Sequence, residues 1–117
     1  MIAVALIADS GAALESMTQS LSSLRDVDIV RHCHGHARLG AGLKRCAPDL
    51  VLLDEMRWPP LALQRLQEIR ALLPGTRVVV RTERADADWL ADALRAGASA
   101  VVPATAGAET LLSLIHI

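Results

Sequence analysis

The chain has 117 residues, which suits one domain around one core. Hydrophobic residues make up 52% and charged residues 21%, with two Trp and no Phe or Tyr, a globular composition that excludes a disordered chain. Twelve basic residues against thirteen acidic give a formal charge of -1, so no global basic field exists to hold nucleic acid by its phosphates. The N-terminus is apolar, but it lacks a basic start and Asp9 interrupts it; it reads as neither a signal peptide nor a membrane span, and a cytoplasmic protein is expected. Cys33 and Cys46 are too few for a disulfide framework and read as reduced thiols.

In chain order, Ile2–Ala8 is nearly all apolar and reads as a strand buried on both faces. Ser10 and Gly11 break it, and Ser10 can cap the next helix. Leu14, Met17, Leu21 and Leu24 recur at helical spacing, so Ala12–Ser23 reads as an amphipathic helix. Arg25–Asp28 is a polar turn into a second strand, Ile29–Cys33, with His34-Gly35-His36 as a loop. Ala37–Cys46 reads as a short helix with Leu39 and Leu43 inward, weakened by Gly40 and Gly42. Leu50–Leu53 is a third strand running into Asp54. Trp58-Pro59-Pro60 reads as a stiff connection, since Pro is excluded from a hydrogen-bonded helix interior. Leu63, Leu66, Ile69 and Leu73 mark a third helix, closed by Pro74-Gly75. Arg77–Val80 is a fourth strand ending near Thr82; Trp89, Leu90, Ala93 and Leu94 give a fourth helix, with Gly97 as its C-cap. Ala100–Val102 is a short fifth strand, and a last helix starts near Thr105 or Ala106 and carries Leu111 and Leu112.

Five βα units predict a parallel sheet covered by helices on both faces. They are short for a dinucleotide-binding fold, and Asp9-Ser10-Gly11 lacks that fold's glycine fingerprint. The most informative feature is that two apolar strands each stop on an aspartate, Asp9 and Asp54. If those strands are parallel neighbours, both acids face the crevice beyond their C-terminal edge, where open α/β sheets place their sites.

The order and spacing of four segments resemble the receiver domain of bacterial two-component response regulators, nearest to those with LuxR-type output domains. LIADS resembles the first-strand acidic motif, APDLVLLD the third strand with its phosphoacceptor, LPGTRVVVRT the approach to the fourth-strand Thr, and ALRAGASAVV the passage into the fifth strand. The likeness spans Ile2 to Leu112, so residues 1–112 are expected to form the receiver domain. It implies a flavodoxin-like (CheY-like) doubly wound α/β sandwich with strand order 2-1-3-4-5. It also implies a signalling module and not an enzyme: Asp54 would accept a phosphoryl group from a sensor histidine kinase. Asp9, Asp54 and the Met56 carbonyl would hold Mg²⁺, and Thr82 would close on the phosphoryl oxygen. Mg²⁺ suits such an all-oxygen site.

Departures from the family pattern make the site degenerate. The second first-strand acid falls on Ser10, the lysine after the fifth strand falls on Ala104, and the aromatic of the fifth strand falls on Val101. Arg57-Trp58 displace the usual Met-Pro. Loss of the lysine weakens charge stabilisation and the conformational response. The alternative is a phosphorylation-independent pseudo-receiver that acts by homodimerisation or partner contact, with Trp89, Arg95 and Glu109 as surface candidates. A third class, a small ligand-binding module or enzyme, would need a preformed apolar pocket. Trp89 itself reads as surface or half-buried packing, with an interface anchor as the alternative.

His32-Cys33-His34-Gly35-His36 holds four good metal-ligating side chains, yet adjacent ligands in an extended segment cannot readily close on one ion. A packed or exposed loop is the expected reading, and Cys46 is expected to pack as a small apolar group. The closing LSLIHI, with residues 113–117, reads either as the last turn of the final helix or as a tail resembling a translated transposase adapter. In the second case a DNA-binding output domain would be the missing part, and DNA contact would belong to it. No membrane contact is expected.

Overall fold

The computed structural model describes residues 1–34, 40–54, 58–83 and 86–115, apart from the side chains of residues 41, 108, 112 and 115. Strands and helices alternate: β1 (Ile2–Ala8), α1 (Gly11–Ser22), β2 (Val27–His34), α2 (Gly40–Cys46), β3 (Leu50–Asp54), α3 (Pro59–Leu72), β4 (Arg77–Thr82), α4 (Ala87–Arg95), β5 (Ala100–Pro103) and α5 (Ala108–Ile115). The five strands form one parallel sheet in the order β2-β1-β3-β4-β5. Reversal of the strand order between β1 and β3 creates a crevice at their C-terminal ends.

Period-two alternation sorts the sheet's side chains into two cores. Ala5, Ile7, Val51, Leu53, Val78 and Val80 face one way, against Leu43 of α2, Leu66 and Ile69 of α3 and Ala93 of α4. Val4, Leu6, Leu50, Leu52 and Val79 face the other, against Met17 and Leu21 of α1 and Leu111 of α5. Burying each such Leu, Ile or Val contributes about 1.5–3 kcal/mol against the entropy of ordering the chain. Because β1, β3 and β4 are covered on both sides, they read as continuous apolar runs.

Differences from the sequence reading have local causes. β2 starts at Val27, inside the expected polar turn, because Val27 and Asp28 pair with Ile2 and Ala3 across an edge where one face meets solvent. Pro59 and Pro60 are the first turn of α3 rather than a connection; the first N–H groups of a helix have no intrahelical acceptor, so Pro is tolerated there. Leu61 and Ala62 join Leu66 and Ile69 as its buried residues, while Leu63 and Leu73 pack at the rim. A turn in which the Ala106 N–H donates to the Pro103 carbonyl delays α5 to Ala108. Leu39 lies outside the described residues, whereas Leu43 is fully buried. Gly42 sits under the Arg31 guanidinium, which an added Cβ would meet at 2.5 Å, a close approach that accounts for a glycine inside α2.

The expected Ser10 cap is present: its hydroxyl accepts from the Ala13 N–H at 3.1 Å. The C-cap of α4 is Ala96, one residue before the expected Gly97, which follows it at φ +117° and turns the chain away from the helix. α5 runs through Ile115; Leu114 packs at the core rim, and its carbonyl accepts from Arg77 Nη1 at 3.1 Å.

Candidate functional site

β1 and β3 run side by side with Ile7 opposite Leu53, so Asp9 and Asp54 leave the sheet at the same C-terminal edge. Thr82 ends β4 at that edge, and Ala104 follows β5 there. A cleft of about 380 Å³ lies beside it, lined by Ser16, Arg81, Thr82, Glu83, Pro103, Ala104 and Thr105. Its lining is mixed rather than the enclosed apolar wall that a small-molecule site favours.

The strand alternation decides where each side chain goes. Asp54 follows Leu50 and Leu52 onto the face covered by α1 and α5. Arg81 follows Val79 onto the same face and stands directly opposite Asp54 in the β3–β4 register. Arg81 Nε is 3.8 Å from Asp54 Oδ1, and the two side chains are 14% and 15% exposed. Arg81 Nη1 donates to Ser16 Oγ of α1 at 3.2 Å. Sequence reading missed this arginine; the signal was there, since a cation one residue before the strand-end Thr shares the parity of the acid ending β3.

Thr82 follows Val80 onto the opposite face, towards α4. It is buried, and its Oγ1 accepts a 3.1 Å hydrogen bond from Trp89 Nε1. Trp89 is 6% exposed, which corrects the reading of it as a surface or half-buried residue and as an interface candidate. A buried indole N–H needs an acceptor, and Thr82 supplies it from seven residues back. Leu94 and Arg95 of α4 and Glu109 of α5 do lie exposed. Ser10 commits its hydroxyl to the α1 cap, and Ala104 puts a methyl group where the receiver resemblance leads one to expect a lysine. Met56 and Arg57 lie outside the described residues.

Chemically, the edge offers a carboxylate, Asp54, with a guanidinium beside it. The described donors fall short of what Mg²⁺ asks: two carboxylates are at hand, and no group of three His, Cys, Asp or Glu side chains converges among the described residues. In the histidine stretch, alternation along β2 sends Cys33 into the core and leaves His32 and His34 exposed on the other side. His32 Nε2 lies 3.2 Å from Thr18 Oγ1; His36 lies outside the described residues. Burial pushes the Cys33 thiol above its ordinary pKa, only partly opposed by Arg31. Less thiolate and less access should make Cys33 slow to alkylate. Iodoacetamide at neutral pH, followed by peptide mass mapping, is expected to label the half-buried Cys46 first, with the difference lost in denaturant.

No protein-family model and no curated protein matches the chain. Solved structures do. The signal receiver domain of NarL from Mycobacterium tuberculosis superposes with a TM-score of 0.82 at 23% identity, over 98% of this chain and 96% of that one. A LuxR-family two-component response regulator from Aurantimonas sp. SI85-9A1 gives 0.81 at 19% identity, over 99% and 83%. The isolated REC domain of RcsB from Salmonella enterica serovar Typhimurium, determined with the phosphomimetic BeF3-, gives 0.81 at 16% identity, over 98% and 86%. The fold is that of receiver domains. At these identities the likeness carries the fold and its strand order, and the chemistry has to be argued from the residues. Among the described residues no helix is long and apolar enough to cross a membrane.

Proposed function

We propose that the chain is a receiver-type signalling module that works in the cytoplasm through protein contact, with phosphorylation of Asp54 weak or absent. The observation that carries this reading is the buried Trp89–Thr82 hydrogen bond. A phosphoryl group on Asp54 is stabilised by donors aimed at its oxygens. Swinging the Thr82 side chain off the α4 face towards it, as distinct from rotating its O–H alone, would strip a buried indole N–H of its acceptor, at a cost of about 1–3 kcal/mol. Ala104 has no charge to offset that cost. The outer face of α4, with Leu94 52% exposed beside Arg95, is the contact surface in this reading, and a second copy of the chain is its partner. A LuxR-type DNA-binding domain in a longer protein would carry the output.

A second reading is favoured by the common edge of Asp9 and Asp54. Here Asp54 accepts a phosphoryl group from a sensor histidine kinase, and Asp9 serves the same site. Incubation with a small phosphodonor and Mg²⁺, followed by intact mass, separates the two. No phosphate-sized gain is expected under conditions that label an intact receiver; a gain lost in Asp54→Asn replaces the first reading with the second. Sedimentation over a concentration series is expected to show self-association that Leu94→Glu reduces. Strictly monomeric behaviour counts against pairing.

A further inference from the structure

The edge carries a cation of its own. Arg81 is fixed at both ends: its backbone lies in register opposite Asp54, and its Nη1 is tethered to Ser16 Oγ at 3.2 Å. Its Nε is cut off from solvent, with no hydrogen-bond acceptor among the described residues, and stands 3.8 Å from Asp54 Oδ1. A buried charged donor in that state is unfavourable unless an opposite charge lies beside it. Asp54 is that charge.

We propose that Arg81 is the resident counter-ion of Asp54 and takes the place a divalent cation would hold, so that the native site is closed to Mg²⁺ by charge. The proposal rests on reading this edge as a receiver-type site. Mg²⁺ needs oxygen ligands at about 2.0–2.1 Å in near-octahedral array. A guanidinium offers five donors and no acceptor, so it cannot join that array. Standing 3.8 Å from the carboxylate oxygen, it would also sit within a few ångströms of any ion bound there, and like charges so close repel strongly. Ser10, where a second carboxylate would strengthen the metal's case, is a neutral cap. The short donor set among the described residues and the buried arginine thus have one explanation: the charge of Asp54 is already balanced from within the sheet.

Titration calorimetry of MgCl₂ into the full chain tests this with the native protein, Arg81→Gln, and Arg81→Gln combined with Asp54→Asn. Arg81→Gln is expected to bind Mg²⁺ about tenfold more tightly than the native chain or better, and the gain should vanish in the double variant. Equal or weaker binding by folded Arg81→Gln overturns the proposal, as does a gain that survives in the double variant. The native chain gives an independent readout should Arg81→Gln fail to fold. Its Arg81 Nε–H resonance should exchange slowly with solvent and stay in place in millimolar Mg²⁺. A resonance displaced by Mg²⁺ and restored by chelator overturns the assignment. Neither readout involves phosphorylation. A label on Asp54 that forms equally with Mg²⁺ and with chelator would end the contact-only reading and leave the counter-ion assignment standing; a missing gain in Mg²⁺ affinity would do the reverse.

Discussion

Asp54→Asn should lower the unfolding free energy by about 2–4 kcal/mol, far more than an exposed ion pair contributes. Arg81 and Asp54 are each about six-sevenths buried, and the remaining partner would be a guanidinium with its Nε sealed from water. The 3.8 Å separation, longer than a charge-assisted hydrogen bond, places the effect towards the lower part of the range for breaking buried pairs. Arg81→Met should cost a similar amount. The double variant should cost clearly less than the sum, with a coupling of about 1 kcal/mol or more, because it leaves no charge stranded. Urea denaturation of the four proteins at constant slope measures the cycle. A stabilising Asp54→Asn would mean that repulsion from Asp9 outweighs attraction to Arg81, and the pair would lose its standing as the dominant charge contact of the edge. The result also bears on phosphorylation tests: Asp54→Asn serves as the acceptor-less control only where it remains folded.

The fold was legible because its signals are local. Runs such as Ile2–Ala8 and Leu50–Leu53 are too short for helices and apolar on both faces, and the intervening 3.6-residue periodicity fixes the alternation. Boundaries slipped where tertiary pairing overrode composition. Val27 and Asp28 look like a turn but extend an edge strand; Pro59 and Pro60 look like breakers but occupy the only turn of a helix that needs no N–H. The site was legible in outline, since strand-end acids need no more than parity and a parallel sheet to meet at one edge. Its cross-element contacts were not. The Trp89–Thr82 bond depends on α4 packing over the end of β4, and the Asp54–Arg81 pair depends on a register that no single segment encodes. Ala104 could be read as neutral where the receiver resemblance implies a lysine, but a cation arriving from the neighbouring strand could be found only by asking which residue stands opposite Asp54.

Gly97→Ala is expected to cost about 2–4 kcal/mol, unusual for the addition of one methyl group outside the core. Gly97 has φ +117°, where an L side chain is strained by about 1 kcal/mol. Its new Cβ would also meet Arg70 Cγ at 2.6 Å and Cδ at 3.0 Å, atoms near the root of a side chain that cannot simply swing aside. Arg70 is committed as well, because its Nη1 donates to the Thr76 carbonyl at 2.6 Å and ties the end of α3 to the start of β4. Overpacking of this kind typically costs a further 1–3 kcal/mol. The residues around Gly97 close α4 and open β5: its N–H donates to the Leu94 carbonyl, the Ala98 N–H to Ala93, and the Ser99 N–H to Val78. Strain at this corner should therefore loosen α4 and the Trp89 contact it carries, so the tryptophan fluorescence transition should move with the far-ultraviolet one. Combining Gly97→Ala with Arg70→Ala separates the two causes. Recovery to a residual loss of about 1 kcal/mol assigns the remainder to the steric clash, whereas an unchanged loss assigns the whole effect to the backbone at φ +117°.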